Sequence, residues 1–197
     1  MDNKIKLAIK KQQEGKLEEA EKLYKEILKN EPKNINVIHN LGVLFFSKNK
    51  NEDALQYFTK LVELKPESPD AHINLGGALQ KLNKLQEAET CIRKAVKLQP
   101  ESPNAHNNLG ALLQNLGKLQ EAETCIRKAI ELKPDYVDGY NNLGTILQNN
   151  ANFEEAELAY KKAIELKPDC AAFHENLRIM LRFKKLSLKI NEAKKKK

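Results

Sequence analysis

The chain repeats itself every 34 residues. Leu75-Gly76, Leu109-Gly110 and Leu143-Gly144 fall in register under that shift, as do Ala88, Ala122 and Ala156, then Pro100, Pro134 and Pro168. The register extends to Leu41-Gly42, Ala54 and Pro66, and more faintly to Leu7-Ala8, Ala20 and Pro32. A fixed period of this length calls for a stack of supersecondary units, each burying its apolar face against its neighbours, rather than one globular core. The expected divisions are residues 1–34 (a degenerate first copy), 35–68, 69–102, 103–136 and 137–170, then a capping helix over 171–190 and a basic tail over 191–197.

Each copy predicts two helices. Ala105, Leu109, Leu112, Leu113 and Leu116 recur at spacings of three and four, which places them on one helical face; Leu119, Ala122, Ile126, Ala129 and Ile130 do the same. Ser68-Pro69 and Ser102-Pro103 supply an N-cap serine before a proline at the first helical position. Gly15, Asn49, Asn83 and Gly117 stand between the two helices, residue types that tolerate a left-handed cap. Ala151 breaks this rule, and Asn149-Asn150 is expected to take over there. Glycine inside a helix costs up to about 1 kcal/mol against alanine. Four in register, at Gly42, Gly76, Gly110 and Gly144, therefore predict close approach of the paired helices.

Aromatic residues make up only 6% of the chain and tryptophan is absent, so an aliphatic, alanine-rich core is expected. No apolar run approaches the roughly 20 residues that span a bilayer, and the N-terminus shows no signal-peptide core. A cytoplasmic location follows as the expectation. Nine of the 34 Lys and Arg lie from Arg178 onward against the single acid Glu192, and the rest of the chain is close to neutral. Binding nucleic acid along the body would need cations distributed over it, so no such partner is expected. Cys91 and Cys125 occupy equivalent places in identical stretches, which predicts a duplicated packing residue and not a disulfide. With Cys170 they suit a reducing compartment.

The pattern resembles the tetratricopeptide repeat family. That 34-residue helix–turn–helix unit carries a large residue, Leu-Gly, a second large residue, Ala, an aromatic or aliphatic, Ala and a closing Pro. The third copy supplies His72, Leu75-Gly76, Leu79, Ala88, Ile92, Ala95 and Pro100; the fifth supplies Tyr140, Leu143-Gly144, Leu147, Ala156, Tyr160, Ala163 and Pro168. The first copy departs most, with Lys4 and Ala8 in place of the large residue and the glycine. The N-N-L-G flavour is most similar to the repeats of O-linked N-acetylglucosamine transferase and related bacterial proteins. The resemblance implies an all-α right-handed superhelical solenoid of five helix pairs plus a C-terminal capping helix. Arg178 replaces the register glycine in that last helix, which suits an outer face in water.

Little in the sequence could carry catalysis. His72, His106 and His174 share one repeat position and read as packing residues; His39 lies one place beyond it. No H-E-x-x-H, P-loop, dinucleotide fingerprint or G-x-S-x-G occurs. No enzyme activity, metal or cofactor is expected. The informative feature is a column of asparagines, Asn40, Asn74, Asn108, Asn142 and Asn176, each immediately before the repeat leucine. The resemblance implies that this position faces the concave groove. Around it the candidate groove residues are Asn36 and Asn40; Asp70, Asn74 and Gln80; Asn104, Asn108 and Gln114; and Asp138, Asn142 and Gln148. A carboxamide offers two donors and an acceptor, which matches a peptide unit without reading its side chain. Two readings stand: a ladder holding an extended polypeptide by its backbone, or asparagines that merely solvate the groove or bond the neighbouring helix.

The cations with which chaperone-tail binders in this family clamp a carboxylate are replaced here by Ile5, Asp70 and Asn74, so that use is excluded. The expected function is a protein-interaction module for extended polypeptide segments, with self-association open and no membrane or nucleic-acid partner. The alternative is the substrate-recruiting arm of a glycosyltransferase-type enzyme whose catalytic part lies elsewhere. The ending Asn191-Glu192-Ala193-Lys194 reads as a solvated tail and favours the first.

Overall fold

The computed structural model describes the backbone of residues 2–195 and the side chains of residues 3–190. Eleven α-helices and no strand occur among the described residues. They form two compact units, residues 1–99 and 100–197.

The first unit holds three helix pairs: α1 (Asp2–Gln13) with α2 (Leu17–Asn30), α3 (Ile35–Ser47) with α4 (Asn51–Leu64), and α5 (Pro69–Lys81) with α6 (Leu85–Leu98). Each first helix packs on its own second helix, each second helix packs on the next first helix, and α1 also touches α3. The second unit holds α7 (Pro103–Asn115) with α8 (Leu119–Leu132), α9 (Val137–Asn149) with α10 (Phe153–Leu166), and the long α11 (Ala171–Lys195). Here α7 touches α9 and α9 touches α11, so first helices line up side by side.

The helix ends follow local chemistry. Ser68 and Ser102 accept from the amides of Ala71 and Ala105 (3.3 Å each), and Asn34 accepts from Val37 (3.1 Å). Tyr136 stands in the same place before α9 and makes no side-chain cap. Every second helix from α2 to α10 stops two residues before its closing proline. Gly15, Asn49, Asn83 and Gly117 take positive φ as expected. At the fifth turn the expectation fails: Ala151 itself is left-handed, at φ 59°, and Asn150 stays at φ −82°. The 34-residue register fixes which position must reverse the chain, and it overrides residue preference.

The register glycines meet one slot of the paired helix. A Cβ on Gly110 would lie 2.6 Å from Ile126, and one on Gly144 would lie 2.7 Å from Tyr160; Gly42 faces Phe58 and Gly76 faces Ile92 in the same way. That slot also corrects the aliphatic picture of the core. Alanines and leucines fill most of it, but Tyr24, Tyr160 and Phe58 are among its largest buried side chains. Two of these three, Phe58 and Tyr160, sit where a register glycine makes room.

Candidate functional site

The periodic histidines have structural partners. Nε2 of His72, His106 and His174 lies 2.8 Å from the carbonyl oxygens of Pro66, Pro100 and Pro168, and Tyr140 donates its hydroxyl to Pro134 at 3.2 Å. A carbonyl can only accept, so these rings carry their proton on Nε2. The slot thus ties the starts of α5, α7, α9 and α11 to the turn before each. No group of three metal-ligating side chains gathers among the described residues. Cys91, Cys125 and Cys170 are half-buried thiols, and burial pushes the Cys91 thiol up.

The asparagine column divides between the units. In the second unit Asn142 on α9 donates to Asn107 on α7 at 2.9 Å, and Asn176 on α11 donates to Asn141 on α9 at 2.8 Å. Each bond spans 35 residues, one repeat plus one position. Neighbouring candidates are engaged as well. Asn104 accepts from the Tyr136 hydroxyl at 2.9 Å, and Gln148 accepts from Tyr160 at 3.3 Å. Burial raises the pKa of Tyr136, with the nearby Asp138 carboxylate adding to the effect. Asn108 and Gln114 are half-buried, and Asp138 is exposed. The equivalents of Tyr160 beside Gln80 and Gln114 are Ile92 and Ile126, which have no hydroxyl to donate.

In the first unit three candidates line one open cleft of 830 Å³. Asn36 and Asn40 of α3 and Asp70 of α5 face it, together with Ile5 and Ile9 of α1, Ile35, His39, and the turn from Leu64 to Ser68. Asn40 also lies against Tyr24, whose hydroxyl donates to Gln12 at 3.0 Å. Burial raises the Tyr24 pKa and the Asn40 contact offsets part of that. His39 Nδ1 approaches Asn40 Oδ1 at 3.4 Å. Asn74 and Gln80 are half-buried on α5. The cleft therefore joins isoleucine walls to carboxamides, with the carboxylates Glu67 and Asp70 and the ammonium of Lys65 also in its lining, a combination suited to holding a peptide unit beside an apolar side chain.

Sequence reasoning missed two things here. The apolar wall was invisible because Ile5 and Ile9 lie in the most divergent copy, where Ile5 stands out only as replacing a cation and Ile9 not at all. Asn107 and Asn141 were overlooked as partners, although the Asn-Asn dipeptides at 107–108 and 141–142 carry the signal: paired carboxamides one position apart can bridge adjacent first helices.

Helix pairs stacked in register, with hydrogen-bonding first-helix faces, define a protein-interaction module. Three tetratricopeptide repeat family models match, over residues 5–69, 45–116 and, in two copies, 103–136 and 137–170; the chain belongs to the tetratricopeptide repeat family. No curated protein matches it significantly. Among solved structures, MamA is similar at 27% identity and TM-score 0.72, covering 84% of this chain and 96% of that one. YrrB, described as a TPR protein with an unusual peptide-binding site, is similar at 26% identity and TM-score 0.67, covering 87% and 89%. TTC0263 of Thermus thermophilus shares the fold at 20% identity and TM-score 0.77, covering 91% and 98%. No helix among the described residues is long and apolar enough to cross a membrane.

Proposed function

We propose that the chain binds extended polypeptide segments of partner proteins, with the principal site in the cleft of the first unit. The observation that carries this reading is the union there of open volume, the isoleucines of α1 and α3, and the carboxamides Asn36 and Asn40. An extended strand exposes one donor and one acceptor per residue, and each carboxamide supplies both complements. Glu67 and Asp70 outnumber Lys65 in the lining, which favours a segment carrying a cation near the anchored residue. Asn74 and Gln80 extend the same chemistry along α5. Asn142, already bonded to Asn107, keeps one amide hydrogen and its oxygen for a ligand.

The test uses an unstructured peptide selected from a random library against the full chain. N-methylation along its backbone should abolish binding, and scrambling its polar residues should not. A methylated peptide that still binds as tightly overturns the backbone-holding reading. The recruiting arm of a glycosyltransferase-type enzyme would use the same groove chemistry, and the N-N-L-G tetrapeptides at 107–110 and 141–144 are its sole support. Co-purification of a glycosyltransferase activity lost on blocking the cleft would favour it.

A further inference from the structure

The helix α11 has 25 residues, whereas the first helices of the repeats have 12 or 13. Its first half packs as a capping helix should, with Phe173 and Met180 buried. Arg178, in the place of the register glycine, pairs with Glu175. Lys184 then reaches Glu154 and Glu157 near the start of α10, at 3.4 and 3.2 Å. The residues after Lys184 run past the point where α10 begins. This end of the helix, from Phe183 on, is not the polar face a solvated cap would present: Phe183 is 51% exposed, Leu186 and Leu188 56% each and Ile190 54%.

Two stripes run side by side along this helix. Ile179, Phe183, Leu186 and Ile190 recur at four, three and four, which keeps them on one face. Arg178, Arg182, Lys185 and Lys189 follow the same spacing one position earlier and form a cationic stripe beside it. The sequence continues into four lysines at 194–197, beyond the described side chains. We propose that the second half of α11 lies on the surface of an anionic phospholipid bilayer. Phe183, Leu186 and Ile190 would enter the headgroup–acyl boundary, with the cations against lipid phosphates. This occupant accounts for both stripes. A second copy of the chain would bring two cationic stripes together, and a nucleic acid would leave the apolar stripe unused. Surface binding requires no spanning segment, so the expectation of no membrane partner, drawn from the lack of one, does not bear on it.

The experiment is co-sedimentation of the full chain with vesicles of phosphatidylcholine alone or mixed with phosphatidylglycerol. Binding is expected only to the mixed vesicles and should weaken as salt rises. The triple variant Phe183→Ser, Leu186→Ser and Ile190→Ser should lose about tenfold or more in partition, since each exposed apolar side chain contributes to insertion. Its circular dichroism should be unchanged, because these side chains are not part of the packed core. Equal binding to neutral vesicles, or a triple variant that partitions like the parent, overturns the proposal. So does a parent chain that ignores both vesicle types while taking up duplex DNA or an acidic helical peptide.

Discussion

The two units use one residue type in opposite ways. In the second unit Asn142 and Asn176 are bound to Asn107 and Asn141 of the preceding first helix. In the first unit the residue ahead of the column is His39 or Ile73, and Asn36 and Asn40 open onto a cleft walled by isoleucine. A carboxamide column thus serves cohesion where a second carboxamide stands beside it, and forms the proposed peptide site where an apolar surface does. Periodicity alone does not decide which.

The largest expected effect separates these uses directly. Replacing Asn36, Asn40 and Asp70 together by alanine should weaken a selected peptide roughly ten- to a thousandfold, at about 0.5–1.5 kcal/mol per lost hydrogen bond. Replacing Asn104, Asn142 and Gln148 should change affinity far less while lowering the melting temperature. Titration calorimetry and thermal melts on the two triple variants read both quantities. Equal losses of affinity would erase the distinction between the units.

Next in size is Asn107→Ala. Asn107 is only 9% exposed, and its carboxamide oxygen receives the Asn142 bond. Its removal should cost about 1–3 kcal/mol, the penalty for leaving a partly buried donor unmatched. The double change Asn107→Leu and Asn142→Leu should recover part of that loss, because no polar group is then stranded. Denaturant unfolding would show it.

Ala151→Gly addresses the one non-glycine, non-asparagine residue among the five left-handed turns. Relief of left-handed strain of about 1–2 kcal/mol, offset by the greater freedom of glycine in the unfolded chain, should leave a net gain of roughly 0.5–1 kcal/mol. A melting temperature that falls would show that the alanine methyl makes a favourable contact. Both units share a smaller effect, which serves as a control. In the first unit Lys48 holds Glu18, and Lys25 with Lys48 holds Glu21, below the usual carboxylate range, as Lys161 and Lys184 hold Glu157 in the second. Depressed folded pKa values stabilise above the unfolded carboxylate pKa of about 4.3, and that stability is lost as pH falls through the lower folded values. Hydrogen exchange followed downward in pH through that window should loosen the α2–α3 and α10–α11 contacts alike.

Much of this was legible from the 34-residue register: the helix pairs, the serine caps, the close glycine contacts and the packing role of the histidines. These depend on local chemistry repeated in every copy. The cleft was harder to see because it arises from a difference between copies, with Ile5 and Ile9 on α1 and Ile35 at the start of α3. The exposed Phe183, Leu186 and Ile190 were hidden for a related reason. Their spacing is that of a core face, and only the start of α10 at Phe153 leaves them uncovered.

The smallest effect is also the sharpest test. His39 stands in the first unit 35 residues before Asn74, the separation that joins Asn107 to Asn142. The substitution His39→Asn should give Asn74 an internal partner and make the first unit resemble the second. One neutral hydrogen bond would then raise stability by about 0.5–1.5 kcal/mol. Because His39 also lines the cleft, the smaller side chain enlarges it, so affinity alone is ambiguous. The discriminating reagent is Asn74→Ala, made in the parent and in the His39→Asn background. In the parent it should weaken peptide binding several-fold with little change in stability. In the substituted background it should cost stability and leave binding nearly unchanged. If Asn74→Ala is silent in both measurements and both backgrounds, the α5 carboxamide serves neither cohesion nor recognition, and the peptide contacts are confined to α1, α3 and the start of α5.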